Sequence, residues 1–62
     1  MWIEVDNALY NTEEISAMFF KSGCIIFEMK NNSYHVHVKD IPKACELIKD
    51  GLIKDAKLIT LF

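Results

Sequence analysis

The stretch Cys24-Ile-Ile-Phe-Glu-Met-Lys-Asn-Asn-Ser-Tyr-His-Val-His-Val-Lys39 constrains the fold more than any other part of this chain. Two runs of β-prone residues flank Asn31-Asn32, and asparagine tolerates the positive φ that a two-residue hairpin turn demands. A turn there pairs Met29 with Tyr34, Glu28 with His35, Phe27 with Val36, Ile26 with His37 and Ile25 with Val38. Side chains alternate across a strand, so two faces follow. Ile25, Phe27, Met29, Tyr34, Val36 and Val38 form an apolar core face. Cys24, Ile26, Glu28, His35, His37 and Lys39 form the other.

An amphipathic helix follows the hairpin. Asp40 is placed to cap it, Pro42 falls in its first turn, and Gly51 stands where a C′ glycine ends a helix. Ile41, Ala44, Leu47 and Ile48 recur at helical spacing, with Lys43, Glu46, Lys49 and Asp50 on the other side. This stripe is expected to cover the hairpin's apolar face. The tail Lys57-Leu-Ile-Thr-Leu-Phe62 has strand composition and is expected to add a short strand, in its own sheet or in a neighbour's.

Residues 11–23 fit two patterns. As a helix they offer Asn11 and Glu14 at capping-box spacing, Ile15, Met18 and Phe19 on one face, and Gly23 as a stop. The chain then reads βαββαβ, a ferredoxin-like order. As a strand, Ile15, Ala17 and Phe19 alternate with Ser16, Met18 and Phe20, and Ser22-Gly23 makes a hairpin turn. Asp6-Asn7 then closes an earlier hairpin between Trp-Ile-Glu-Val and Ala-Leu-Tyr-Asn. This second pattern is an α+β fold: a small antiparallel β-meander, one helix in the C-terminal half, and a final short strand.

The opening Met1-Trp2-Ile3 and the segment Leu9-Tyr-Asn-Thr-Glu-Glu-Ile15 resemble a loose group of very short phage and bacterial proteins. Those proteins begin Met-Trp-Ile, carry an Asn-x-x-x-Ile element, run through strands and close with a helix. Over residues 9–48 the chain is also similar to the small flagellar FlbD-like proteins. The resemblance implies the meander rather than the ferredoxin-like order. It implies no reaction, and the segment 51–62 extends beyond the pattern.

Sixty-two residues make one domain, spanning 1–62, and so short a chain has a thin core. Yet 52% of the residues are hydrophobic, more than one sheet and one helix can hide. Some apolar surface is therefore expected to be shared with a copy of the chain or with another protein, as a homodimer or higher oligomer. Seven lysines oppose nine carboxylates and there is no arginine, so the basic footprint of a nucleic-acid binder is missing. No apolar run is long enough for a transmembrane helix, and the N-terminus lacks a basic region before an apolar stretch. Cys24 and Cys45 read as small buried hydrophobes of a reducing compartment, and a cytoplasmic setting is expected.

The chemistry on offer is limited. His35 and His37 point the same way from a strand, and the turn at Asn31-Asn32 sets Glu28 across from His35. These three could ligate a divalent ion, with Cys24 as a further donor. The plainer reading is a solvated polar strand face with a Glu28–His35 ion pair. No glycine-rich phosphate loop is present, and neither cysteine has an evident base and oxyanion donor, so no enzyme and no cofactor are expected.

The expected function is a non-enzymatic cytoplasmic interaction module, self-associating, in the manner of a phage or mobile-element inhibitor or regulator of a host protein. Its surface is expected to include Met18, Phe20, Ile26, His35 and His37 on the uncovered sheet face, with Leu58 and Phe62 on the terminal strand. Trp2 suits either a core aromatic or an interface anchor. The alternative function is a small metal- or ligand-binding regulator built on His35, His37 and Glu28.

Overall fold

A computed structural model describes residues 1–61. Its elements run β1 (Trp2–Val5), β2 (Ala8–Asn11), a 3₁₀ turn (Thr12–Glu14), β3 (Ile15–Lys21), β4 (Cys24–Met29), β5 (Ser33–His37), α1 (Ile41–Ile53) and β6 (Leu58–Thr60). The fold is α+β, and residues 15–21 are a strand rather than a helix. The ferredoxin-like alternative is thereby set aside.

The strands form two three-stranded sheets, β2-β1-β6 and β3-β4-β5. The meander is interrupted between them, and the local chemistry explains where. Asn11 caps a single 3₁₀ turn, its side chain accepting from the Glu13 N–H at 3.1 Å. Thr12 turns both its N–H (2.9 Å) and its hydroxyl (2.8 Å) to the Met1 carbonyl. The capping signal at residues 11–14 is therefore real, but it drives one turn and not a helix. β3 leaves this turn toward β4, with a bulge between Ile15 and Ala17 where the Ser16 hydroxyl donates to the Glu28 carbonyl at 2.9 Å.

Two tight turns are as expected. Asp6 (φ 51°) and Asn7 (φ 64°) both adopt the left-handed region that a type I′ turn needs, pairing Val5 with Ala8. Ser22-Gly23 joins β3 to β4 with Lys21 opposite Cys24, and Gly23 has φ 78°. The third turn differs. Met29 and Asn32 exchange backbone hydrogen bonds (2.8 and 3.3 Å), so Lys30-Asn31 is the loop, and neither residue has positive φ.

The β4–β5 register is thus Cys24–His37, Ile25–Val36, Ile26–His35, Phe27–Tyr34 and Glu28–Ser33, two residues away from the expected pairing. A shift of two leaves every side chain on its face, so alternation alone could not tell the registers apart. Packing separates them: Tyr34 opposite Phe27 stands beside Tyr10 of the other sheet, ring centroids 5.7 Å apart.

The two sheets face each other, and their inner faces supply the core. Ile3, Val5, Ile25, Phe27, Val36, Val38 and Leu61 are buried, with Ala44 and Ile48 from the helix. Phe27 is fully buried and takes the Tyr10 ring edge-on, centroids 5.1 Å apart. The helix packs against β6 and β3, and β2 meets β5 at the Tyr10–Tyr34 contact. The expected strand at residues 57–62 forms within the chain as β6, parallel to β1. Phe62 lies outside the described residues.

The helix begins as expected, with the Asp40 side chain accepting from the Lys43 N–H at 3.1 Å. It does not end at Gly51. The helix runs to Ile53, and Asp55 (φ 56°) takes the left-handed C′ position. The Ala56 N–H reaches the Gly51 carbonyl (2.9 Å) and the Asp55 N–H the Leu52 carbonyl (3.4 Å), a Schellman end. Gly51 is small for another reason. A Cβ there would stand 2.8 Å from Ile59 Cγ2 and 3.0 Å from Met1 Sδ, so the glycine lets the helix approach β6.

Candidate interaction surface

Two outer sheet faces carry many of the side chains that the core does not use, and Leu52 and Ile53 at the end of α1 are exposed as well. On β3-β4-β5 the turn at Ser22-Gly23 decides which side chains face outward. Pairing Lys21 with Cys24 sets Phe20 opposite Ile25 and Met18 opposite Phe27, on the inner side. Met18 packs against the core. The expected surface of Met18 and Phe20 beside the histidines is therefore corrected: Phe19, opposite Ile26, is the aromatic that shares their face. Phe20 keeps 39% exposure because it sits on an outer strand, although it points inward. Turn arithmetic on Ser22-Gly23 would have made this assignment from sequence.

The outer face of this sheet has the row Phe19–Ile26–His35 at its centre. Ala17, Glu28 and Ser33 flank it on one side, and Lys21, Cys24 and His37 on the other. Ile26 and Cys24 are half-buried and the histidines exposed. Glu28 stands across from Ser33, not His35, so the expected three-ligand site and the Glu28–His35 ion pair lose their geometric basis. Among the described residues, no three His, Cys, Asp or Glu side chains are grouped to hold a metal ion. Cys24 and Cys45 are free and half-buried.

The second outer face, on β2-β1-β6, is more apolar than the sequence suggested. Trp2 lies between Asn11 on β2 and Leu58 on β6, while Glu4 lies between Leu9 and Thr60. The Thr60 hydroxyl bonds Glu4 Oε1 at 3.2 Å, which holds that carboxylate against its own sheet. Trp2 (46%), Leu9 (59%) and Leu58 (52%) are all about half exposed. Leu58 faces outward from β6. Trp2 is the outward aromatic of the two possibilities. Leu9 was missed, although the Asp6-Asn7 hairpin places it opposite Glu4 and so outside.

Beside this face, a groove follows β2. One part, of about 400 Å³, is lined by Trp2, Leu9, Tyr10, Asn11, Met29 and Tyr34, with Ala8 and Glu14 at its ends. It continues past Glu14, Met29 and Tyr34 into a second hollow of about 470 Å³ bordered by Glu13, Lys30, Asn31 and Asn32. Tyr10 and Tyr34 point inward from outer strands, so their rings form the floor where the two sheets meet. No sequence signal marked this groove, because its walls come from opposite sheets.

No protein-family model, curated protein or solved structure matches this chain. Among the described residues, no helix is long and apolar enough to cross a membrane.

Proposed function

We propose that this protein is a non-enzymatic interaction module that works by covering the outer face of β2-β1-β6 with another polypeptide. The observation that carries this reading is the group of half-exposed apolar side chains on one sheet face, Trp2 beside Leu58 in one cross-strand row and Leu9 in the next. Together they leave roughly 300 Å² of apolar surface, the size of patch that on a small monomer often has a binding role. Asn11, Glu4 and Thr60 stand between and beside these side chains, so hydrogen-bonding groups are interleaved with the apolar surface.

Area sets the strength. A stable pair of proteins covers roughly 800 Å² on each side, well above this patch. Copies of the chain that meet through this face alone therefore self-associate weakly and reversibly. A partner that engages it tightly must add contacts from elsewhere. Regulation or inhibition of a partner protein, as the resemblance to small phage proteins implies, would act through such a complex.

Trp2 is the only tryptophan in the chain, so its fluorescence reports on this face directly. Concentrating the protein to the millimolar range should raise its sedimentation coefficient and move Trp2 emission to shorter wavelength. Leu58→Lys should suppress both changes while leaving the fold intact. A strict monomer with unchanged Trp2 emission removes the self-association reading.

A further inference from the structure

We infer that the groove along β2 takes an extended segment of a partner polypeptide, which adds antiparallel to β2 as a fourth strand and carries a cationic residue at the Glu13–Glu14 end. This rests on the interaction-module reading above and names the chemistry of the partner.

The backbone provides the first argument. Thr12 N–H bonds the Met1 carbonyl, while Trp2 N–H bonds Lys57 and Leu61 N–H bonds Glu4. Odd residues of β1 therefore face β2 and even residues face β6. In an antiparallel pair, residues opposite one another either exchange both hydrogen bonds or exchange none. Leu9 opposite Glu4 and Asn11 opposite Trp2 are the second kind. The Leu9 N–H and C=O and the Asn11 N–H thus point away from β1, into the groove. Among the described residues β2 pairs with β1 alone, and it is the outer strand of its sheet. Unpaired strand groups of this sort are the recognition element of strand addition.

The side chains provide the second argument. An added strand alternates, so one set of its side chains falls on the Leu9 side and the other over Tyr10, Tyr34 and Met29. Both sets meet apolar surface that is half exposed in the free protein. Among the described residues, neither the Tyr10 nor the Tyr34 hydroxyl has a hydrogen-bond partner within the chain, and both stand free to meet a peptide's polar groups.

Charge provides the third and fixes which end of the antiparallel segment carries the cation. Glu13 and Glu14 border the Asn11 end of the groove, and Lys30 on the facing wall offsets one of the two carboxylates. β2 runs toward that end, so the N-terminal end of an antiparallel segment meets the remaining negative charge.

The test uses the peptide acetyl-Lys-Val-Ser-Val-Ser-Val-amide and its reverse, acetyl-Val-Ser-Val-Ser-Val-Lys-amide. Titration into the labelled protein should shift the amide resonances of Leu9, Asn11 and Tyr34, with the first peptide binding at least several-fold more tightly. A synthetic chain with N-methyl-leucine at position 9 loses the outward donor but no ladder bond to β1, and should bind at least ten-fold more weakly. Glu14→Lys, at an exposed site, should abolish or reverse the preference between the two peptides. The proposal is overturned by the absence of shifts at these amides at millimolar peptide, by equal binding to the N-methylated chain, or by an orientation preference indifferent to Glu14→Lys. Leu58 lies on the far strand of the sheet and outside the groove. Leu58→Lys therefore tests the outer face alone, and the two ideas fail separately.

Discussion

Replacing Gly51 with alanine sets two effects of similar size against each other. Gly51 lies inside α1, not at its end, and an interior glycine costs a helix about 1 kcal/mol relative to alanine. On local grounds Gly51→Ala should stabilise. The added Cβ, however, meets Ile59 Cγ2 at 2.8 Å and Met1 Sδ at 3.0 Å. Met1 can swing its flexible side chain away. Ile59 cannot, because its Cγ2 is fixed to a branched Cβ on a strand paired with β1. Overpacking of this kind costs about 1–3 kcal/mol. The expected net effect is a loss of about 1 kcal/mol, or about 4–8 °C in Tm for a domain of this size. Urea and thermal unfolding of four proteins would measure it: native, Gly51→Ala, Ile59→Ala and the double variant. Ile59→Ala removes the obstructing methyl, so in that background Gly51→Ala should be neutral or stabilising. The cycle should yield a coupling energy of about 1–2 kcal/mol. If Gly51→Ala stabilises the native protein by the full helix-propensity value, or acts identically in both backgrounds, the close-approach account of Gly51 is wrong.

Other substitutions probe the remaining features. Met18→Lys places a charge against the core opposite Phe27 and should unfold the chain or nearly so, whereas Phe19→Lys on the outer face should cost less than about 1 kcal/mol; equal effects in chemical denaturation would contradict the β3–β4 register. Asp40→Ala removes the N-cap of α1 and should lower stability by about 0.5–2 kcal/mol in the same assay, with Asp40→Asn close to native. Asp55→Gly relieves a non-glycine residue at φ 56° and should raise Tm by a few degrees, whereas Asp55→Val should lower it. Because Glu28 stands across from Ser33, zinc should leave the melting midpoint unchanged, and a rise of several degrees that His35→Ala removes would restore the metal reading.

How far the sequence could be read depended on the range of the interaction involved. The Asp6-Asn7 and Ser22-Gly23 turns, the Asp40 cap and the alternation in Cys24–Met29 all act between neighbours, and all are found where the residues predict them. The capping signal at Asn11 was equally legible, but it could not reveal whether one turn or a whole helix would follow. Met18 and Phe20 were assigned to the wrong face for a simpler reason: the Ser22-Gly23 turn already places them opposite Phe27 and Ile25. Of the candidate surface, Leu58, Ile26, His35 and His37 do face outward, while Leu9 and the groove were not foreseen. The groove needs Tyr10 and Tyr34, distant in sequence, to meet across two sheets.

By itself, then, the sequence determined an α+β chain of short antiparallel hairpins with one capped helix, because turns, caps and alternation are satisfied by residues a few positions apart. Tertiary structure decided what local rules leave degenerate. A register shift of two keeps every face intact, so only the packing of Tyr34 beside Tyr10 and Phe27 could select the pairing that moves Glu28 away from His35. The same holds for Gly51, whose two possible roles, helix terminator or close-contact residue, differ only in what stands next to it.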